Sequence, residues 1–306
     1  MQHGDSHGAA ADNLRGALYM LVGMGFLLFN DAMVKLVGAH LPVAEIMLIR
    51  GAMASVMLFA ICAALGVLSK LHQVFHGKVL GRSLAELAGA FFFLSALVHM
   101  PIANANTIMQ AVPLAMTVAA AFLLKEPVGP RRWAAVVVGF LGILMIVKPT
   151  GSGFDLYSLF ALVAVLFVTL RELLTRAAHV QIPSIVMSLA TALALTLGGG
   201  IMTIAGSWVA PNGRDMLLLL AAAACQVVAY QGTIMAMRVG DMGFVAPFRY
   251  SIVIWSLIAG YLIWSNTPDG WALLGIVLVV GMGLYTFHRE RVKKVHIRPS
   301  KPVTPR

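Results

Sequence analysis

Apolar blocks of roughly twenty residues follow one another, with few interruptions, from residue 16 to residue 288. At about 1.5 Å per residue, each block matches the ~30 Å hydrocarbon core of a bilayer. The core of a large soluble enzyme would show shorter apolar runs broken by polar faces. Charged residues make up only 11% of the 306, against about 25% in soluble domains, too few to cover a water-facing surface. The expected fold is an all-α integral membrane protein. Its helices are placed near 16–37, 44–67, 84–101, 104–124, 132–148, 156–177, 184–206, 216–237, 243–264 and 270–288. Only the link Ser69–Arg82 is longer than a short turn, so no extramembrane domain is expected.

Lys and Arg set the orientation, because they collect in cytoplasmic loops. Threading ten spans from a cytoplasmic N-terminus puts Arg15, Lys70, Lys78, Arg82, Lys125, Arg131, Arg132, Arg171, Arg176, Arg238 and the basic residues from Arg289 onward on the inner side. The outer side receives Lys35, Lys148 and Arg214, while Arg50 and Arg249 fall within spans. Both termini are therefore expected in the cytoplasm. The formal charge of +10 sits in loops and tail, not on a continuous surface, and so points to anionic lipid and away from nucleic acid.

Cys62 and Cys225 lie in apolar segments with no disulfide or metal spacing. The N-terminal stretch lacks a basic cluster, and the first apolar run reads as a retained helix, not a signal peptide. No Walker A pattern supports direct ATP use, and neither H-E-x-x-H nor G-x-S-x-G occurs. An intramembrane lipid-modifying enzyme is thus a remote alternative, and no enzyme activity, cofactor or metal is expected. A channel would more often present a ring of like charges.

The halves resemble each other. Asn30–Pro42 (NDAMVKLVGAHLP) aligns with Arg171–Pro183 (RELLTRAAHVQIP), each with an acid four residues before a base and a closing proline. Ala111–Pro113 matches Val245–Pro247, and the segments ending at Trp133 and Trp271 follow in the same order. Five helices per half forces opposite orientations, the inverted-repeat device of secondary transporters. The expected organisation is a cytosolic tail 1–15, a first repeat 16–150, a second repeat 151–288 and a basic cytosolic tail 289–306.

With the ND-x-x-x-K element at Asn30–Lys35, Arg50, the KEP run at 125–127 and APFRYS at 246–251, the chain resembles the EamA-type drug/metabolite transporter superfamily. It departs from the pattern at Asn266, where an acid often precedes the proline. With the compactness of the chain, the resemblance implies a small-molecule carrier of the bacterial inner membrane, and the repeat implies that it works by alternating access. The pattern is most similar to importers of riboflavin or S-adenosylmethionine. An amino-acid or drug exporter of the same fold is the alternative. A coupling proton is a further candidate partner beside the lipid bilayer, and monomer and homodimer are both open.

Charges inside a bilayer cost about 2.5–3.5 kcal/mol on insertion scales, which makes each a functional candidate. Asp31 and Lys35 share a helix face and can pair; Asp31 reads as a helix-end ion pair or a cavity-lining acid. Arg50 needs an anionic partner or water, and Asp31 and Glu45 are the nearest acids in sequence. Glu172 and Arg176 mirror Asp31 and Lys35, as a gating latch or a loop-end pair. Pro113 and Pro247 interrupt corresponding helices, a pointer to a site at the repeat interface. Arg249 and Tyr250 follow Pro247 directly, and Arg249 is a candidate anion holder. Asn30, Gln110, Tyr230 and Gln231 complete the candidate substrate-binding set, with Trp255 as a possible nearby ring. Asn104, Asn106, Thr107 and Gln226 read equally as interhelical glue or cavity lining.

Overall fold

The computed structural model describes residues 4–123, 125, 128–148, 156–177, 183–204, 206 and 208–296, with side chains in 11–123, 125, 128–148, 156–175, 183–204, 206, 208–241 and 244–286. Among them every regular element is helical. The helices are α1 (Gly4–Val37), α2 (Val43–Ala64), α3 (Gly77–His99), α4 (Ile102–Met109), α5 (Val112–Phe122), α6 (Pro130–Val147), α7 (Leu156–Ala177), α8 (Ser184–Ile204), α9 (Gly213–Val239), α10 (Met242–Val245), α11 (Ser251–Trp264) and α12 (Gly270–His296). Two 3-10 helices, Leu68–Phe75 and Ala246–Tyr250, precede α3 and α11. Among the described residues, nine helical stretches are long and apolar enough to cross a bilayer, and the apolar helix Gly270–Thr286 is shorter.

The expected open link Ser69–Arg82 is instead largely helical. Its 3-10 turn lays Leu71 and Val74 against a cluster containing Leu58, Cys62 and Ile185, and α3 starts at Gly77, ahead of the expected 84. Hydropathy registers only the apolar part of a helix, whereas the backbone ladder continues through polar turns carrying Lys78 and Arg82.

The close-set third and fourth spans part at Met100, which is extended (φ −119°, ψ 163°), just before Pro101, which has no N–H to continue a helix. The expected continuous helix 104–124 is broken. Gln110 N–H donates to the Thr107 carbonyl at 3.0 Å and Ala111 N–H to that of Ile108 at 2.9 Å, closing α4 with tight 3-10-type bonds. Pro113 then occupies the first turn of α5, where a missing N–H is tolerated. Pro247 sits likewise in the first turn of the 3-10 helix before α11.

The principal helix pairings cross between the halves: α1 with α9, α2 with α8, α3 with α7, α6 with α12, and α4 with α11. Small residues permit the closest approaches. A Cβ on Gly199 of α8 would lie 2.5 Å from the Leu48 nitrogen and 2.8 Å from the Ala44 oxygen of α2. A Cβ on Gly275 of α12 would lie 2.5 Å from the Gly142 oxygen of α6. Backbone cannot retreat as a flexible side chain can, so both crossings require glycine.

The end bearing the α1–α2 loop is tied across the halves by polar contacts. His40 Nε2 and Asp215 Oδ1 are 2.7 Å apart. Val209 N–H donates to Glu45 Oε1 at 2.7 Å. Lys148 pairs with Asp269, and its hydrogen bond, with backbone donors from Ala272 and Trp271, holds the Asp269 carboxyl below the usual carboxylate range.

Candidate central cavity

The central cavity, of about 180 Å³, lies between the halves, with residues of α1, α2, α3, α4, α7, α8 and α9 and of the turn before α11 in its wall. Its walls are mainly apolar, including Met24, Leu27, Phe93 and Met109, and its charged groups other than Arg249 fall into two clusters.

In the first cluster Arg50 Nη1 donates to Asn30 Oδ1 at 2.8 Å, and Asn30 Nδ2 donates to Asp31 Oδ1 at 3.0 Å. All three are buried, at 4%, 2% and 3% exposure, so the cost of each charge falls on this relay and on the electrostatic proximity of Arg50 to Asp31. The neighbours fix the amide's orientation, since flipping it would set donor against donor and acceptor against carboxylate. Asn106 stands beside Asp31, yet its buried Nδ2 closes no hydrogen bond of normal length.

The second cluster centres on Glu86 of α3. Arg171 of α7 donates from Nη1 to Glu86 Oε2 at 2.5 Å and from Nη2 to Glu172 Oε1 at 2.5 Å. The Tyr230 hydroxyl donates to Glu86 Oε1 at 3.4 Å. Nearby, Arg82 donates to the Thr175 hydroxyl at 3.1 Å and to the Thr191 hydroxyl at 2.8 Å, binding α3 to α7 and α8.

Of the residues singled out from sequence, Asn30, Asp31, Arg50, Gln110, Tyr230 and Arg249 line the cavity. Gln231 and Tyr250 do not: the Tyr250 ring is buried and packed so closely on Gly283 that a Cβ there would fall on its hydroxyl. Trp255 is exposed and outside the lining.

The expected Asp31–Lys35 pair is absent. Lys35 Nζ donates to the carbonyls of Leu97, Val98 and Met100 at 2.8, 3.0 and 2.9 Å and lies 5.7 Å from the Trp264 ring centre. Carbonyls at a helix C-terminus lack intrahelical donors and carry the negative end of the macrodipole, so they outcompete a carboxylate one turn away. Glu45 is not the partner of Arg50 but receives the Val209 amide. Glu172 takes Arg171 as its partner; the side chain of Arg176, and Glu126 of the KEP run, lie outside the described residues.

Sequence reasoning missed Glu86 and Arg171 as site residues and left Asn106 and Gln226 undecided; all four line the cavity. The signal for Glu86 was present: an acid inside the expected span 84–101, the same criterion that marked Asp31. Arg171 was counted as an inner-face charge.

A further cavity, of about 260 Å³, lies at the end bearing the Lys148–Asp269 pair and is lined by Asn104, Ser158, Asn266 and Asp269 among others. It is larger, but none of the sequence-predicted substrate residues lines it.

Fold and site define the class: a multi-pass helical membrane protein with a buried, charge-bearing cavity between its halves. Residues 14–148 match the EamA-like transporter family. Relatives extend over most of the chain. A riboflavin transporter of Vibrio cholerae is 29% identical, covering 87% of this chain and 91% of its own. An S-adenosylmethionine uptake transporter of Rickettsia prowazekii is 24% identical over 91% and 94%. The pseudopaline exporter CntI of Pseudomonas aeruginosa is 27% identical over 86% and 92%. A solved crystal structure aligns with a TM-score of 0.65 over 94% of this chain and 99% of its own, at 20% identity, a likeness of fold.

Proposed function

We propose that the chain is a secondary transporter that moves a small metabolite across the bacterial cytoplasmic membrane by alternating access. In this reading ten spans form two inverted five-helix repeats, 16–150 and 151–288, with both termini in the cytoplasm. The carrying observation is the symmetry of the helix pairings. Exchange each first-half helix for its counterpart: α1 for α7, α2 for α8, α3 for α9, α4–α5 for α11, α6 for α12. The pairing α1–α9 then becomes α7–α3, while α2–α8, α6–α12 and α4–α11 return themselves. Such exchange symmetry supports a carrier whose halves can swap conformations about a site between them.

Asn30, Asp31, Arg50, Gln110, Tyr230 and Arg249, with Glu86, Asn106 and Arg171, form the substrate site in this proposal. Asp31, buried and bonded to a neutral amide, is the candidate carrier of a coupling proton. The relatives make riboflavin the first solute to test and S-adenosylmethionine the second. The exporter relative supports outward movement as a second reading.

The test is uptake of labelled riboflavin and S-adenosylmethionine into right-side-out vesicles, with and without unlabelled solute inside. Saturable uptake accelerated by preloading supports the carrier. Uptake that neither saturates nor responds to preloading indicates a channel. No uptake there, with accumulation in inverted vesicles, supports export.

A further inference from the structure

We infer that the central cavity selects an organic anion, a solute presenting a carboxylate or phosphate to Arg249; this deepens the transporter reading and rests on it. The cavity wall carries the acids Asp31 and Glu86 and the cations Arg50, Arg171 and Arg249. Arg50 is spoken for by Asn30 and by the proximity of Asp31. Arg171 is bonded to Glu86. Behind the wall, Glu172 takes the other Arg171 nitrogen, and Arg82 stands within electrostatic reach of Glu86, so these two charges offset each other. Lys35 is held on helix-end carbonyls outside the lining.

Arg249 remains. It lines the cavity, is exposed at its edge, and among the described residues its guanidinium has neither a carboxylate partner nor a hydrogen bond. An arginine does not shed its charge, so the cavity holds one positive charge with no protein anion opposite it.

A second observation points the same way. Asn106, only 2% exposed, lines the cavity with its side chain engaged by the Asp31 carboxyl. Asp31 is therefore already held by two amides, those of Asn30 and Asn106. The Glu86 oxygens are likewise both taken. With both acids engaged, the unmatched charge of the site is the Arg249 cation, beside an apolar wall with Phe93 and Met24 for a ring or chain. A cationic solute would meet Arg249 with no unengaged acid pair to receive it.

Matched solutes differing in charge test this on the full chain purified in detergent, by the ligand concentration that raises its melting temperature. Riboflavin is compared with riboflavin 5′-phosphate, and S-adenosylmethionine with S-adenosylhomocysteine, which lacks the sulfonium charge. The more negative member of at least one pair should bind roughly tenfold tighter, the scale of one charge-assisted contact. Arg249→Gln should erase that preference and Arg249→Lys should keep most of it, which separates lost charge from misfolding. Equal affinities, a preference that survives Arg249→Gln, or no binding by either more negative member would overturn the inference. Counterflow in proteoliposomes separates this from the parent reading. Counterflow without charge preference discards the anion site and keeps the carrier. Anion binding without counterflow keeps the site and discards transport.

Discussion

Asn30 is the residue on which the deep end of the cavity turns, because one neutral amide joins a buried guanidinium to a buried carboxylate. Asn30→Leu leaves both charges without that relay, whereas Asp31→Asn removes only the acid. Both variants should insert at normal levels, yet transport should fall by at least about tenfold in each, the effect of losing one buried hydrogen bond to a charged group. Full transport by Asp31→Asn, measured against membrane abundance, would remove Asp31 from the site. Glu86 and Arg171 permit a sharper separation of stability from function. Removing one member of a buried pair costs about 3–5 kcal/mol, while replacing both by apolar groups is often neutral. Glu86→Leu or Arg171→Met alone should therefore lower the melting temperature markedly. The double variant should recover much of it and still fail to transport, a non-additivity that a double-mutant cycle reads directly.

At the scale of the elements, the spans were legible because hydropathy and helix length answer to the same hydrocarbon thickness. The approximate position of nearly every span follows from that alone. The start of α3 was not legible, since its first turns carry Lys78 and Arg82 and a helix does not end where its apolar face does. Pro113 and Pro247 flagged the breaks in their helices through their missing amides. Partners across helices were a different matter. Lys35 and Asp31 are four apart on one helix, but the carbonyls that Lys35 binds come from α3 and the turn after it, more than sixty residues away. Periodicity carries no information about that distance. Glu86 needed no structure to be noticed, only the charge criterion applied to every span, while its pairing with Arg171 did. The α2–α8 crossing gives an element-scale prediction. Gly199→Leu drives a side chain into the Leu48 and Ala44 backbone, a misfit of about 1–3 kcal/mol by the usual cost of overpacking. Gly200→Leu, whose Cβ would make only an ordinary 3.5 Å contact with Leu48 Cδ1, should cost clearly less. Thermal melts of the two purified variants decide it, and equal losses would show that the close approach does not set the packing.

For the whole molecule, the question is what holds the halves together at one end while the central cavity stays open to Arg249. Three contacts bridge the halves at the end carrying the α1–α2 loop: His40 with Asp215, Glu45 with the Val209 amide, and Lys148 with Asp269. In the proposed orientation this is the outer face. None of them touches the central cavity, so they can bias which side it opens to without taking part in binding. If they act as a latch, His40→Ala combined with Lys148→Ala should favour the outward-open arrangement. A cysteine at Gln110, in a background with Cys62 and Cys225 replaced, should then react faster with a membrane-impermeant thiol reagent added outside. Asp269 adds a pH arm. Its carboxyl titrates below the ordinary carboxylate value, so the charge on this link is complete above about pH 4. Its contribution is lost as the pH falls through that lower value. The ratio of labelling rates between Lys148→Ala alone and the parent, which cancels the pH dependence of the thiol itself, should therefore stay flat through neutral and mildly acidic pH. That ratio should fall only as the pH drops through the Asp269 titration, where the parent's own Lys148–Asp269 link is lost. Identical labelling rates in parent and variant across that range would show that these links merely decorate the outer loops, and the element holding the outer side shut would have to be sought in the α3–α4 turn gripped by Lys35.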